Sequence, residues 1–547
     1  MKKYILILWC IIVNTAFIPI FSQDKENTKP LELPAFIIEG VEQLNVKSGM
    51  KQIASRPTPL DIKELDSLNT YDKQLPILLE ADKLPEHYTT KNYSKGFIKG
   101  SYGVFNTPTI DAGYQFNIFN FDTYAKIGFN SSQGDEKYSN YNKFYININS
   151  DYIADDKFFI FGGSRTRTNI VFNTKSYNLY GFDKRDNYFI DKTTDYFDRN
   201  YTQFKFNVES EGAYKSTIFN VGANLNLSKI TNDKLIQQYT VGDAFSHHYL
   251  QGHANIKNYW KNFLINGSIF IDFESFAENT INFYQFEGAA SYFNKNISAT
   301  AKIGFQIANN SENIDRAGLL LAGNAEYRIN NSFTLKADLN SGLEKTEFEN
   351  IAMLNPYMSK RTSIDYTYNI LKLRGALWFH PTTKISLTGG TELCIADRLM
   401  NFENDSLAEF KLTYYNGTIF KVFGEGFFSF SKNDQIISKI SINLNSLSNN
   451  KNFTYTPALQ LNGTYSKKWI EALTTNLSLQ YIGARYYATN LSEQLNSYIT
   501  LNLSTDYTIN KFTINLSLNN LTNSTVYIWN KYRERGIFAS IGLMWQF

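Results

Sequence analysis

From residue 96 to residue 547 the chain alternates between apolar and polar side chains in one segment after another. In the segment from Asn296 to Ile307, Ile303 belongs to the apolar parity, whereas Thr300 and Lys302 belong to the polar parity. Successive side chains of a β-strand point to opposite faces, so each segment predicts a strand with one apolar and one polar face. A second segment, residues 261–274, has the apolar parity Phe263, Ile265, Gly267, Ile269, Ile271 and Phe273.

Strand length and spacing distinguish between two architectures that use such strands. A soluble sandwich or propeller packs the apolar faces into a core, whereas a membrane barrel turns them toward lipid and lines its lumen with the polar faces. The segments are about 10 to 13 residues long, close to the roughly 9 to 11 that cross a bilayer with tilt. Short turns such as residues 330–331 alternate with longer polar gaps such as residues 344–361. The pattern predicts an all-β fold, a transmembrane antiparallel β-barrel of about 22 strands within a range of about 16 to 22.

Residues 1–22 have the features of a secretory signal peptide. Lys2 and Lys3 precede an apolar run, and the small residue Ser22 suits cleavage by signal peptidase. The alternative is an uncleaved membrane anchor, but no stop-transfer cluster of charged residues follows the run. Of the two cysteines only Cys394 remains after cleavage, so the exported chain is predicted to form no internal disulfide.

Proline divides the rest of the chain in two. Six of the 11 prolines lie in residues 23–95, which carry few strand signals. Proline inside a sheet removes a ladder hydrogen bond, so this segment is not predicted to supply barrel strands. We assign residues 1–22 to a signal peptide, residues 23–95 to a polar, proline-rich periplasmic N-terminal segment, and residues 96–547 to an outer-membrane β-barrel.

The last eight residues carry the most specific signal in the chain. They read SIGLMWQF and contain Ser540, Gly542, Trp545 and Phe547. This arrangement resembles the closing-strand signal that the outer-membrane assembly machinery recognises, in which an exposed edge pairs with a template while alternate aromatic residues fit an apolar groove. The alternative is an ordinary terminal strand that happens to end in phenylalanine.

A longer stretch extends this resemblance to a family. Residues 511–547 contain the sequence NNLTN at residues 519–523, then Tyr527, then RGIFASIGLMWQF from Arg535. They resemble the last two strands of a TonB-dependent receptor barrel, which has an asparagine-rich penultimate strand and an arginine-glycine entry to the final one. The resemblance implies 22 strands, a location in the outer membrane of a Gram-negative bacterium with contact to its lipid, and the binding or transport of a solute of unknown identity.

The chain departs from that family before the barrel. The family places a glycine-rich plug domain of well over a hundred residues there, but residues 23–95 contain only two glycines, Gly40 and Gly49. The resemblance therefore implies a barrel without the usual plug, and energised import stays open. A possible periplasmic partner would bind an apolar run that looks like the family's energising box, by strand addition. The alternative is a small strand or turn packed against or inside the barrel. The run contains Leu33, Pro34, Phe36, Ile37 and Ile38.

Charge and motifs exclude several functions. Lys and Arg number 54 and Asp and Glu number 51, for a formal net charge of +3, and no basic cluster is present that would neutralise a nucleic-acid backbone. Phosphate-binding and dinucleotide-binding glycine motifs are absent, so no cofactor is predicted.

One group of residues raises metal binding or catalysis as alternatives. His247 and His253 have the spacing of one strand face, with Asp243 nearby, and imidazole with carboxylate can hold zinc or copper. Ser246 beside His248 suggests a hydrolase, but a nucleophile, base and orienting group must converge in space. We predict instead loop residues that enter a strand, no metal and no enzyme activity.

The sequence therefore predicts an outer-membrane barrel that binds or transports a solute. The alternative from another class is a structural or scaffold barrel whose N-terminal segment docks a periplasmic or secretion-system partner.

Overall fold

Strand pairing closes the alternating segments into one barrel. The computed structural model describes residues 95–155, 161–181, 198–232, 244–277, 279–310, 316–405, 409–490 and 493–547. Within these ranges, 22 antiparallel strands form a single sheet in which each strand pairs with its neighbours along the chain and the last pairs with the first. The predicted barrel and its strand number are confirmed.

The barrel strands are β1 (Gly96–Gly103), β2 (Thr107–Ile118), β3 (Phe121–Ser132), β4 (Tyr141–Ile153), β5 (Arg165–Asn178), β6 (Asp198–Tyr214), β7 (Thr217–Asn232), β8 (Ala244–Trp260), β9 (Phe263–Phe276), β10 (Asn279–Phe293), β11 (Ile297–Asn310), β12 (Arg316–Arg328), β13 (Phe333–Lys345), β14 (Tyr366–Thr382), β15 (Ile385–Asn404), β16 (Phe410–Ser431), β17 (Asp434–Leu447), β18 (Leu459–Ile470), β19 (Leu473–Ile482), β20 (Tyr498–Ile509), β21 (Phe512–Asn519) and β22 (Phe538–Gln546).

The two ends of the barrel differ. At one end, here called the turn end, most of the connections are short, and local side chains shape them. In two of these turns Asn294 and Asn330 each accept hydrogen bonds from the backbone N–H groups two and three residues later. Asparagine favours turns for this reason. The predicted short turn at residues 330–331 is therefore confirmed.

The opposite end, here called the loop end, holds the other regular elements. Helix α1 (Phe348–Leu354) lies between β13 and β14, and a short 3-10 turn, Ser448–Asn450, lies between β17 and β18. Two short ladders pair Arg485–Tyr486 with Gln494–Leu495 and Tyr527–Trp529 with Tyr532–Arg533. No helix in the described ranges is long and apolar enough to span a membrane.

The two faces of the wall follow the sequence pattern. On β11 the side chains of Ile303 and Phe305 are 59% and 47% exposed on the outer face. Thr300 lies on the inner face, where its hydroxyl bonds that of Ser291 at 2.9 Å. The same division holds across the wall, so the barrel has an apolar exterior and a polar interior.

The buried apolar core lies inside the barrel at the loop end. A β-bulge between β13 and β14 contributes to it, because the register shifts between Asn340 and Gly342, where β14 has one residue more than β13. Gly342 has a φ of +140°, and a Cβ there would lie 2.6 Å from the side-chain oxygen of Gln306. Beyond the bulge, Leu343 turns into the interior and is 7% exposed. Strict alternation from Leu339 would place it on the outer face, so its burial goes with the register shift.

Candidate functional site

Residues 346–365, here called the inner loop, fold into the lumen at the loop end. The ring of Phe348 stacks on that of Phe276 with centroids 4.0 Å apart, and Ile351 is fully buried. The backbone N–H of Phe348 donates to Glu274 at 2.9 Å. On the other side of α1, Glu349 accepts from Lys205 at 2.8 Å. The sequence predicts a long polar loop here, whereas the structure contains a helix docked on the inner wall.

Buried ionisable side chains on β8, β9 and β13 support that docking. Glu274 lies 2.7 Å from the imidazole Nε2 of His247 and 2.9 Å from Lys345 Nζ. Lys345 also lies 2.6 Å from Asp272. The amino group of Lys345 therefore bridges two carboxylates that would otherwise repel each other in a buried site.

The histidines predicted as a weak metal or catalytic cluster do not form one. His247 and His253 share the inner face, as their spacing predicts, but His253 contacts Asn220 at 2.9 Å rather than the partners of His247. His248 points to the outer face, together with Ser246. Asp243 lies outside the described residues. In the described part of the chain no group of three or more His, Cys, Asp and Glu side chains is arranged to hold a metal ion.

A buried ion pair joins three separate parts of the loop end. Arg199 at the start of β6 is ion-paired with Glu409, and the side chains are 0% and 1% exposed. The same guanidinium donates to the carbonyl of Met358 in the inner loop and to Asn232 at the end of β7, each at 2.8 Å. Each of its three nitrogens therefore has a hydrogen-bond partner, as expected for a buried charge. No motif in the sequence marks this pair.

Four tyrosines pack beside that pair. Tyr357 of the inner loop stacks on Tyr532 with centroids 3.6 Å apart, and Tyr180 contacts both rings edge-on. The hydroxyl of Tyr177 donates to the carbonyl of Pro356 at 2.6 Å, and that of Tyr180 donates to the carbonyl of Arg533 at 3.0 Å. Burial raises the pKa of Tyr180 and of Tyr357, so both hydroxyls stay protonated at neutral pH.

A second network ties the loop before β22 to the loop after β3. Arg533 donates to Asp135 at 2.8 Å and lies 2.7 Å from Glu136. Asp135 also accepts from the backbone N–H of Gly536 at 2.8 Å. Burial alone would raise the pKa of Asp135, but the hydrogen bonds from Gly536 and Arg533 lower it below the usual value of 3.8. The carboxylate is therefore ionised at neutral pH.

Between these networks and the wall lies a cavity of about 590 Å³, a volume typical of small-molecule sites. Its lining combines tyrosine rings with amide and hydroxyl groups. Asn178 at the end of β5 is 2% exposed, and its Oδ1 accepts no hydrogen bond from the described residues. The lining includes Asp135, Tyr141, Lys175, Tyr177, Asn178, Tyr180, Tyr357, Gln480, Thr500, Arg533, Glu534, Arg535 and Phe538.

The predicted assembly-signal residues lie on the strand that closes the barrel. β22 carries Ser540 and Gly542 on its inner face and Trp545 on its outer face, where Trp545 is 41% exposed. The Phe547 ring contacts that of Trp545 with centroids 4.7 Å apart. Phe547 also covers Gly96, where an added Cβ would lie 2.7 Å from the ring. Recognition by an assembly machinery stays a prediction. Residues 1–94, with the signal peptide and the predicted partner-binding run, lie outside the described residues.

Comparison with known proteins supports the fold. No protein-family model and no curated protein matches the sequence. The siderophore receptor PirA from Acinetobacter baumannii matches with a TM-score of 0.64 at 9% identity over 83% of this chain and 80% of that one. The FrpB iron transporter from Neisseria meningitidis matches with a TM-score of 0.65 at 10% identity over 83% and 81%. The ferric enterobactin receptor PfeA from Pseudomonas aeruginosa matches with a TM-score of 0.66 at 8% identity over 83% and 81%.

The fold thus defines the class as a transmembrane β-barrel. Within that class the barrel is similar to those of TonB-dependent receptors, as the closing strands suggested. Sequence identities of 8 to 10% limit this likeness to the fold.

The sequence carries only weak signals for the site residues that it did not predict. Phe348 and Ile351 are apolar residues three positions apart inside an otherwise polar gap, a spacing that places them on one helix face. Arg199 and Glu409 lie 210 positions apart, so local patterning cannot pair them.

Proposed function

We propose that this protein is an outer-membrane barrel of a Gram-negative bacterium that binds a solute in the loop-end cavity and passes it across the membrane. The observation that carries the proposal is the polar and aromatic cavity, enclosed by a wall whose outer face is apolar. Such a cavity combines surface for burying a ligand with a few groups that fix its orientation.

The outer face supports a place in lipid. Every described barrel strand is paired on both sides, so the sheet exposes no unpaired edge to hydrocarbon. Trp260, Trp469 and Trp545 lie near the turn end with 63%, 57% and 41% of their surface exposed. Tryptophan favours the boundary between lipid and water, so this row fits one membrane interface.

Sequence segments near both termini suggest how the protein is exported and inserted into the outer membrane. Residues 1–22 would direct export and then be removed, and the closing strand would be the element that the assembly machinery recognises. Residues 33–38 would recruit a periplasmic partner by strand addition. Each of these assignments belongs to the proposal and rests on the sequence.

Solute passage can be tested even while the solute is unidentified. Cells with and without the gene, and cells complemented with it, are grown in the same complex medium, and the medium is profiled by mass spectrometry. We expect at least one solute to be depleted only when the protein is present. Identical depletion by all three strains, with the folded protein shown to be in the outer membrane, would contradict transport and favour a scaffold role.

A further inference from the structure

We infer that the loop-end cavity binds a neutral carbohydrate, a short oligosaccharide. This inference rests on the proposed function and names its class of solute. It follows from the charge balance of the cavity, from its free hydrogen-bonding groups and from its aromatic surfaces.

The charged groups at the cavity balance one another. Its lining has two carboxylates, Asp135 and Glu534, and three cations, Lys175, Arg533 and Arg535. Arg533 also lies 2.7 Å from Glu136, which is not part of the lining. When Glu136 is counted, three carboxylates match three cations. A ferric catecholate carries several negative charges, whereas the cations of this lining exceed its carboxylates by one at most, too few to match such a ligand. The balance favours an uncharged ligand.

Two of these cations, Arg533 and Arg535, already bind side chains of the protein. Arg533 is held by Asp135 and Glu136. Arg535 donates to the hydroxyl of Tyr141 at 2.7 Å and lies over the rings of Tyr141 and Phe538, 5.2 and 5.0 Å from their centroids. These guanidinium groups therefore act as supports for the wall of the cavity.

The groups that remain for a ligand are amides and hydroxyls. Asn178 donates its Nδ2 proton to Asn140 at 2.8 Å, which fixes the amide and leaves Oδ1 as a buried acceptor. Thr500 on β20 is 9% exposed and Gln480 on β19 is partly buried, and both line the same cavity. A buried acceptor without a partner is costly, so a ligand that donates to it gains more than an ordinary surface contact provides. Sugar hydroxyls are donors and acceptors at once.

Aromatic surface is the second requirement of carbohydrate recognition. Tyr180 and Tyr357 are partly buried, whereas Tyr177 is buried with the ammonium of Lys175 4.7 Å from its ring centroid. Tyr177, Tyr180 and Tyr357 line the cavity and hold each other through edge-on contacts with centroids 6.1 and 6.4 Å apart. One face of a pyranose ring presents C–H groups, which pack on the negative face of an aromatic ring. A peptide cannot add to the barrel as a further strand, because the described barrel strands have no free edge.

The test uses the purified full-length protein in detergent and a printed panel of neutral oligosaccharides of glucose, galactose, mannose, xylose and N-acetylglucosamine. Hits are titrated by calorimetry. A ferric catecholate and a mixture of short peptides are titrated in parallel. We expect saturable binding of at least one neutral oligosaccharide and none of the ferric catecholate or peptides. Binding of either of these alone, or of no probe, would overturn the inference.

Three variants locate the binding. Asn178→Leu removes the buried acceptor, and Thr500→Val removes a hydroxyl with little change of shape. Each is expected to weaken oligosaccharide binding roughly tenfold or more. The control, Asn224→Leu, removes another inward amide. Asn224 is 9% exposed and its Oδ1 has no hydrogen-bond partner among the described residues, but it does not line this cavity. Folding is verified by the altered gel mobility of unheated barrels. Equal affinity of all four proteins would place the binding elsewhere and contradict the inference.

The medium-depletion experiment separates this inference from the proposed function. Depletion of a solute that is not a carbohydrate would retain the transport function and reject the ligand class. Absence of any depletion would reject both.

Discussion

The barrel wall and the loop end are held together by different kinds of contact. In the wall, strands that follow each other in the chain pair with each other, and the period-two pattern sets which face meets the interior. At the loop end, Arg199 and Glu409 are 210 positions apart, Tyr180 and Arg533 are 353 apart, and Arg533 and Asp135 are 398 apart. The wall is thus specified locally, whereas the candidate site exists only once distant loops have met. Four predictions can break or sharpen this comparison.

The largest effect is expected at the buried ion pair. Arg199→Ala leaves Glu409 buried without its partner, which costs about 3 to 5 kcal/mol. Hydrogen exchange should become faster in residues 356–362 and 409–412, while β11 and its neighbours in the wall stay protected. Unchanged protection of the inner loop would show that the pair does not hold the loop end. Equal loss of protection throughout would contradict the separation of the two regions.

The next effect tests the two faces of the wall. Ile303→Arg places a charge on the apolar exterior and should cost about 2 to 4 kcal/mol if the residue lies near the membrane midplane. Thr300→Arg on the same strand faces the interior and should cost much less. The measurement is urea unfolding of protein folded into phospholipid vesicles. Equal losses at the two positions would refute the assigned faces.

A smaller effect is expected where Asp135 binds Arg533 and Gly536. Asp135→Asn removes charge-assisted hydrogen bonds worth about 1.5 to 3 kcal/mol. The folded-state pKa of Asp135 is lowered, so its contribution is fully present above the unfolded value of 3.8 and is lost as the pH falls through the folded value.

The pH dependence of hydrogen exchange provides the control for the Asp135→Asn prediction. Residues 533–536 of the native protein should gain hydrogen exchange, corrected for intrinsic rates, below a pH of about 4. The same residues of Asp135→Asn should exchange faster at neutral pH and show little further change on acidification. A parallel acid response of the two proteins would show that another group controls this loop.

The smallest effect is expected for an ion pair on the inner wall. Lys302 lies 3.4 Å from Glu287 and its side chain is 40% exposed. Lys302→Ala should change the free energy of unfolding by no more than about 1 kcal/mol, because solvent screens such pairs. The measurement is the same urea titration, and a loss near that of Arg199→Ala would contradict the difference between wall and loop end.

The sequence therefore predicts the wall better than the site. The alternation around Ile303 and Thr300 gives the strand, its faces and the exterior, because a strand's period is a local property. The spacing of His247 and His253 also gives their common face. The spacing does not identify Glu274 as the partner of His247, because that contact depends on the register between neighbouring strands.

Other features depend on tertiary contacts that no local pattern contains. The register shift at Gly342 goes with the burial of Leu343, which strict alternation would place on the outer face. The side-chain Oδ1 of Asn178 faces the loop-end cavity, and residues of the loop before β22 form the opposite side of that cavity. Neither the cavity nor its charge balance can therefore be deduced one segment at a time.

The central claim is that the apolar rows of the wall meet lipid while the polar rows meet the aqueous interior. Spin labels on single cysteines at each position of residues 297–307, in a Cys394→Ser background, test it directly in reconstituted vesicles. The account predicts alternation with a period of two. Odd positions such as 303 should be accessible to oxygen dissolved in lipid, and even positions such as 300 to a water-soluble nickel complex. Uniform accessibility along the strand, or alternation with the opposite phase, would contradict the claim.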